Sequence, residues 1–172
     1  MPRPFDVCTP SAATVGQVHS AFADESYWRA RLAEFGGDSI RLDSLDVDDR
    51  GTVKVKTTQD MRNDALPGLI ARAIPSDLKV VREETWRMVD VEFHADVAMH
   101  TSGAPISGVA TARVSPTAGG SVLRFTGTVQ VRVPLIGGPI EKYISSQIAE
   151  EIPGVQRFTT RWISENGISE NA

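Results

Sequence analysis

The chain has 172 residues, a hydrophobic fraction of 41%, a charged fraction of 23% and a formal net charge of -4. One domain of this length can bury roughly 70% of the surface its unfolded form exposes, and such a composition excludes a fibrous or disordered polymer. The acidic balance excludes a broad nucleic-acid face, no run approaches the roughly 20 apolar residues of a membrane span, and a single cysteine, Cys8, excludes an internal disulfide.

Residues 1–7 lack the apolar run of a signal peptide, so a cytoplasmic location is expected. Residues 5–9 read as a strand. Thr9 then stands as a helix cap with Pro10 in the first turn, and Val15, Val18 and Phe22 follow at helical spacing. Cys8 reads as a small core residue and His19 as a partly packed surface one. Asp24 caps a second helix, striped by Trp28, Leu32 and Phe35 and stopped by Gly36 and Gly37.

From Ser39 the period becomes two. Ile40 and Leu42, an acidic turn over 46–51, and then Val53, Val55 and Thr57 predict a hairpin. Leu66, Leu69, Ile70, Ala73 and Ile74 place one apolar stripe on a short helix that Pro67 opens and Pro75 ends. Such a segment forms a mobile lid or touches a membrane surface, or simply packs on the body.

Four long strands follow, over 78–88, 92–101, 106–115 and 121–133. In the last, Leu123, Phe125, Gly127, Val129, Val131 and Val133 alternate with polar residues, so one face is buried and one is wet. A cover is available in Ile140, Ile144, Ile148 and Ile152, continued by Val155, Phe158 and Trp162. A helix from Gly138 to Ser164 is about 40 Å long, with Pro153 expected to kink or break it. The end, 168–172, is expected to fray.

This order, with Glu84-Thr85-Trp86, the run Val131-Arg132-Val133-Pro134-Leu135-Ile136-Gly137-Gly138-Pro139-Ile140-Glu141 and Arg157-Phe158-Thr159-Thr160-Arg161-Trp162, resembles the START-like (SRPBCC) superfamily. Within it the chain is similar to an uncharacterised family known only as a domain of unknown function. The resemblance implies an α+β helix-grip (birch-pollen-allergen-like) fold. Its seven-stranded curved antiparallel sheet wraps a long C-terminal helix, in the order β-α-α-β-β-(α)-β-β-β-β-α. Residues 1–166 would form one domain and 167–172 a disordered tail. A cavity between sheet and helix that usually receives apolar or amphipathic molecules, and in a minority of members performs chemistry, is also implied; no cofactor is expected.

The residues themselves bear on that cavity. If the loops over 102–105 and 116–120 close as tight hairpins, Val97, Ala110 and Gly127 fall in one row and Ala95, Ala112 and Phe125 in the next. Small side chains there either leave room for a guest or let the helix approach closely. Phe93, Met99 and Val129 share this face, Val55 and Thr57 extend it, and Ile144 and Ile148 would close it from the helix. On the strand over 78–88, Arg82 and Glu84 share a face with Trp86. They form a charged pair at the cavity wall, joined by Thr57 and Gln59, or the strand end leaves the sheet and both reach solvent.

Metal and catalytic patterns are poor. His94, Asp96 and His100 alternate with the buried face and point outward, and Asp46, Asp48 and Gly51 lack the remaining ligands of a calcium loop. Gly137, Gly138 and Lys142 lack the ending of a phosphate loop. The leading expectation is binding of a lipid, isoprenoid, quinone or polyketide-like molecule, with no nucleic acid and no stable membrane insertion. The alternatives are a cyclase- or hydrolase-type enzyme using Arg82, Glu84 and Thr57, and a protein-interaction module.

Overall fold

A computed structural model describes residues 2–61, 67–73, 75 and 77–169. The period-two segments pair as one antiparallel sheet in the order β1-β7-β6-β5-β4-β3-β2. Its strands are β1 (Arg3–Ser11), β2 (Ile40–Val47), β3 (Val53–Asp60), β4 (Lys79–Val89), β5 (Glu92–Ser102), β6 (Ile106–Thr117) and β7 (Gly120–Val131). Helices α1 (Val15–Phe22) and α2 (Glu25–Gly36) join β1 to β2, α3 (Gly68–Ala73) precedes β4, and α4 (Gly137–Glu165) follows β7.

Four local expectations change. The strand β1 runs through Pro10 to Ser11, because an edge strand tolerates a missing N–H. The cap of α1 is therefore Thr14: its hydroxyl accepts from the Gln17 amide at 3.2 Å while the Thr14 amide donates to Gln17 Oε1 at 2.9 Å. Cys8 is exposed, since Val7 and Thr9 take the inward positions of the alternation. Finally, α4 continues through Pro153 without the break that is one of the two expectations there, although Pro153 has no N–H for the Ala149 carbonyl.

At the chain's end, Ile168 packs on the core and its carbonyl accepts from Gln17 Nε2 at 2.9 Å, so the packed chain reaches beyond residue 166. No helix among the described residues is long and apolar enough to cross a membrane.

The core lies at two places. Under α1, α2 and the second half of α4, Phe22 meets Trp86 edge-on at 4.8 Å, and Tyr27 meets Trp162 at 5.3 Å. At the other end, Leu78, Ile106, Val129, Val131 and Ile140 cluster beneath the start of α4. There the buried carboxylate of Glu141 accepts the Val131 amide at 2.9 Å and fastens the helix to the end of β7. Between Glu141 and Ile152 no residue of α4 is fully buried: Tyr143, Ile144 and Ile148 are half-buried against the edges of the two clusters, so the helix is tied down closely at both ends and stands partly off in the middle.

Candidate ligand site

The register aligns side chains across the whole sheet. One row runs Val55, Glu84, Val97, Ala110, Gly127 and Phe5, and the next runs Thr57, Arg82, Met99, Gly108 and Val129. The expected pairings of Val97 with Ala110 and of Ala110 with Gly127 hold, as do those of Ala95 with Ala112 and of Ala112 with Phe125. Light side chains in the middle of the sheet thus face the segment of α4 that stands off. Between them lies a void of about 660 Å³, bounded by the sheet, α2 and α4. Small-molecule sites occupy roughly 300–1,000 Å³.

Most expected positions border that void. Thr57, Arg82, Glu84, Val97 and Met99 line it from β3, β4 and β5, and Ala110, Phe125 and Val129 line it from β6 and β7. Ile144 and Ile148 close it from α4. Five do not border it: Gly127, and Val55, Trp86, Phe93 and Ala95, which are packed in the core beneath α1, whose Phe22 fills that end of the concave face. Gly127 contributes no free volume either. A Cβ there would overlap the Val109 carbonyl and come within 2.7 Å of the Ala110 Cα, so its missing side chain is space the neighbouring strand occupies. Of the expected lid, Leu66 and Ile74 lie outside the described residues, and Leu69 and Ile70 fall on α3.

The charged pair on β4 faces inward. Arg82 Nη2 donates to Glu84 Oε1 at 3.2 Å, and Trp86 Nε1 donates to the same oxygen at 3.4 Å. The guanidinium of Arg82 sits 5.7 Å from the centre of the Phe125 ring, and its buried Nε finds no acceptor among the described residues.

A second arginine lines the void, from α2, and the periodicity of that helix did not single it out. Arg31 lies 4.8 Å from the Trp28 ring, and its Nη1 donates to the Tyr27 hydroxyl at 3.4 Å. The hydroxyl of Thr159 donates to the Val155 carbonyl at 2.9 Å, so Tyr27, 2.6 Å from Thr159, is the donor between them. Burial pushes the Tyr27 hydroxyl above its ordinary value and the Glu84 charge adds to this, while Arg31 opposes it. Burial works against the charge of Arg31, yet Tyr27, Glu84 and Glu151 together hold it above the ordinary arginine value.

The expected non-sites lie elsewhere. His94 and Asp96 are on the outer face of β5, occupied by Glu92 at 2.7 Å and Arg87 at 3.0 Å, and His100 is exposed on that face. His19 stays near the surface of α1, with Nε2 2.7 Å from the Gly51 carbonyl.

The model of the family described as protein of unknown function (DUF2505) matches residues 6–163, which include every lining residue of the void except Phe5. The chain belongs to the DUF2505 family. This DUF2505 chain is 41% identical over 173 residues to the uncharacterized protein Rv0481c of Mycobacterium tuberculosis, covering 96% of the chain and 99% of that protein. Among solved structures, it is similar to TTHA0849 from Thermus thermophilus, with a TM-score of 0.61 at 12% identity over 95% and 99% of the two chains. It is also similar to Ara h 8.0201, with a TM-score of 0.55 at 9% identity over 96% and 99%. The DUF2505 chain therefore has an α+β fold of the birch-pollen-allergen kind, a curved seven-stranded antiparallel sheet with a long C-terminal helix.

Proposed function

We propose that this DUF2505 protein binds a hydrophobic small molecule between the concave face of its sheet and the middle of α4. The carrying observation is the stand-off of that helix: no residue between Glu141 and Ile152 is buried, opposite a row of small side chains. A folded domain leaves such apolar positions half-covered at a cost, because lining atoms without neighbours lose their dispersion contacts. A guest restores them. Ten buried methylenes contribute about 8 kcal/mol before the costs of association, which supports micromolar binding of a lipid-sized molecule.

The test combines native mass spectrometry of the purified protein with a variant that fills the site. A bound apolar species should be present in the wild type and absent from Ile148→Trp, in which an indole occupies the void while the buried ends of α4 are untouched. A wild-type protein that neither carries nor takes up any apolar molecule would remove the reading.

A further inference from the structure

Two guanidiniums border the void, and the wall holds one enclosed carboxylate against them. Glu84 is 3% exposed, and its Oε1 accepts from both Arg82 and Trp86. Arg82 uses Nη2 on Glu84, and its Nε has no acceptor among the described residues. Among the described residues Arg31 makes one long hydrogen bond, to Tyr27, and its guanidinium otherwise lies against the Trp28 and Phe22 rings. Glu150 and Glu151 also border the void; both are exposed on α4, where water weakens their pull, although Glu151 still favours the Arg31 charge.

A guanidinium carries five N–H donors and cannot shed its charge, so placing two of them against an apolar space leaves donors that need oxygen acceptors. A neutral alcohol supplies one oxygen and no charge, and a cation would meet two like charges beside a carboxylate already paired with Arg82. A carboxylate matches the planar fork in shape and in sign. The geometry points to an amphipathic acid as the guest: an apolar body against Met99, Val129, Ile144 and Ile148, and a carboxylate held by Arg82 and Arg31. This rests on the proposed binding function and adds the class of ligand to it.

The experiment titrates the wild type, Arg82→Gln and Arg31→Gln with dodecanoate, dodecanol and dodecyltrimethylammonium, following the fluorescence of Trp28, which lines the void. Dodecanoate should bind the wild type at least about tenfold more tightly than dodecanol, the scale of one charge-assisted hydrogen bond, and the cation most weakly. Both variants should narrow the preference for dodecanoate while leaving dodecanol unchanged. Arg31→Gln leaves the Arg82–Glu84 pair intact, so it decides the matter should Arg82→Gln fail to fold. Equal or tighter binding of dodecanol or the cation overturns the acid while the apolar site stands. A preference that survives intact in every folded variant also overturns it. Failure of all three probes to bind overturns the binding function itself.

Discussion

Arg82 and Glu84 meet at 3.2 Å on the concave face of β4, yet they are unequally enclosed: the Arg82 side chain is 32% exposed and that of Glu84 is 3% exposed. The two halves of the pair should therefore differ in what their removal costs. Arg82→Ala leaves a closed-in carboxylate with only the long bond from Trp86, and removing one partner of a buried pair costs about 3 kcal/mol. Glu84→Ala leaves an arginine that reaches water, with a cost nearer about 1 kcal/mol. Replacing both by Met should recover most of the loss, because no charge is then left unpaired. Urea unfolding of the three variants measures this, and a larger loss in Glu84→Ala than in Arg82→Ala would contradict it.

Gly127 tests whether a missing side chain means free space. It lies in the row of light residues, but its Cβ direction is filled by the Val109 carbonyl and by Ala110. Gly127→Ala should destabilise the protein by about 1–3 kcal/mol through overpacking between strands. Binding of an apolar probe to the folded fraction should be unchanged. Stability equal to wild type, combined with weaker binding, would show instead that the position opens on the void.

That position also marks where sequence reasoning stops. The pairing of Val97, Ala110 and Gly127 was legible because short loops and a period of two leave one register that keeps the apolar face inward. Which inward positions remain uncovered was not legible. Trp86, Phe93 and Ala95 share the inward face with Val97, and the placement of α1, with Phe22 and His19 against Trp86 and Phe93, separates filled from open. Arg31 escaped notice because α2 mixes its buried Tyr27 and Trp28 with arginines on neighbouring positions, so no clean stripe marks its inner face. The cap of α1 could have been read correctly: Gln17 stands three residues after Thr14, the signature of a reciprocal cap, and no such partner follows Thr9.

The chain from Arg31 through Tyr27 and Thr159 to the Val155 carbonyl predicts a dependence on pH. Tyr27→Phe removes one buried donor and should cost about 1 kcal/mol near neutrality. Burial, with the Glu84 charge, holds the folded-state value of Tyr27 above the ordinary 10.0. Below that ordinary value both states keep the proton. Above it the unfolded chain ionises first, so wild-type stability is lost as the pH rises toward the folded-state value. The advantage of wild type over Tyr27→Phe should accordingly shrink above pH 10.0. An advantage that stays constant across that range, measured by denaturant unfolding, would rule out a protonated, enclosed hydroxyl.

The stand-off of α4 predicts uneven dynamics along one helix. Residues 142–151 hold no buried side chain, whereas Ile152, Val155, Phe158, Trp162 and Ile163 are all enclosed. Pro153, at the junction, leaves the Ala149 carbonyl without its helical donor. Local opening follows where few apolar contacts hold an element down, so the amides of 142–151 should be at least about tenfold less protected from hydrogen exchange than those of 155–163. An apolar guest between Ile148 and the sheet would supply the missing contacts and slow exchange in the first segment alone. Uniform protection along the helix without any guest would mean that its middle is already held, and the space opposite Ala110 would then have nothing left to bind.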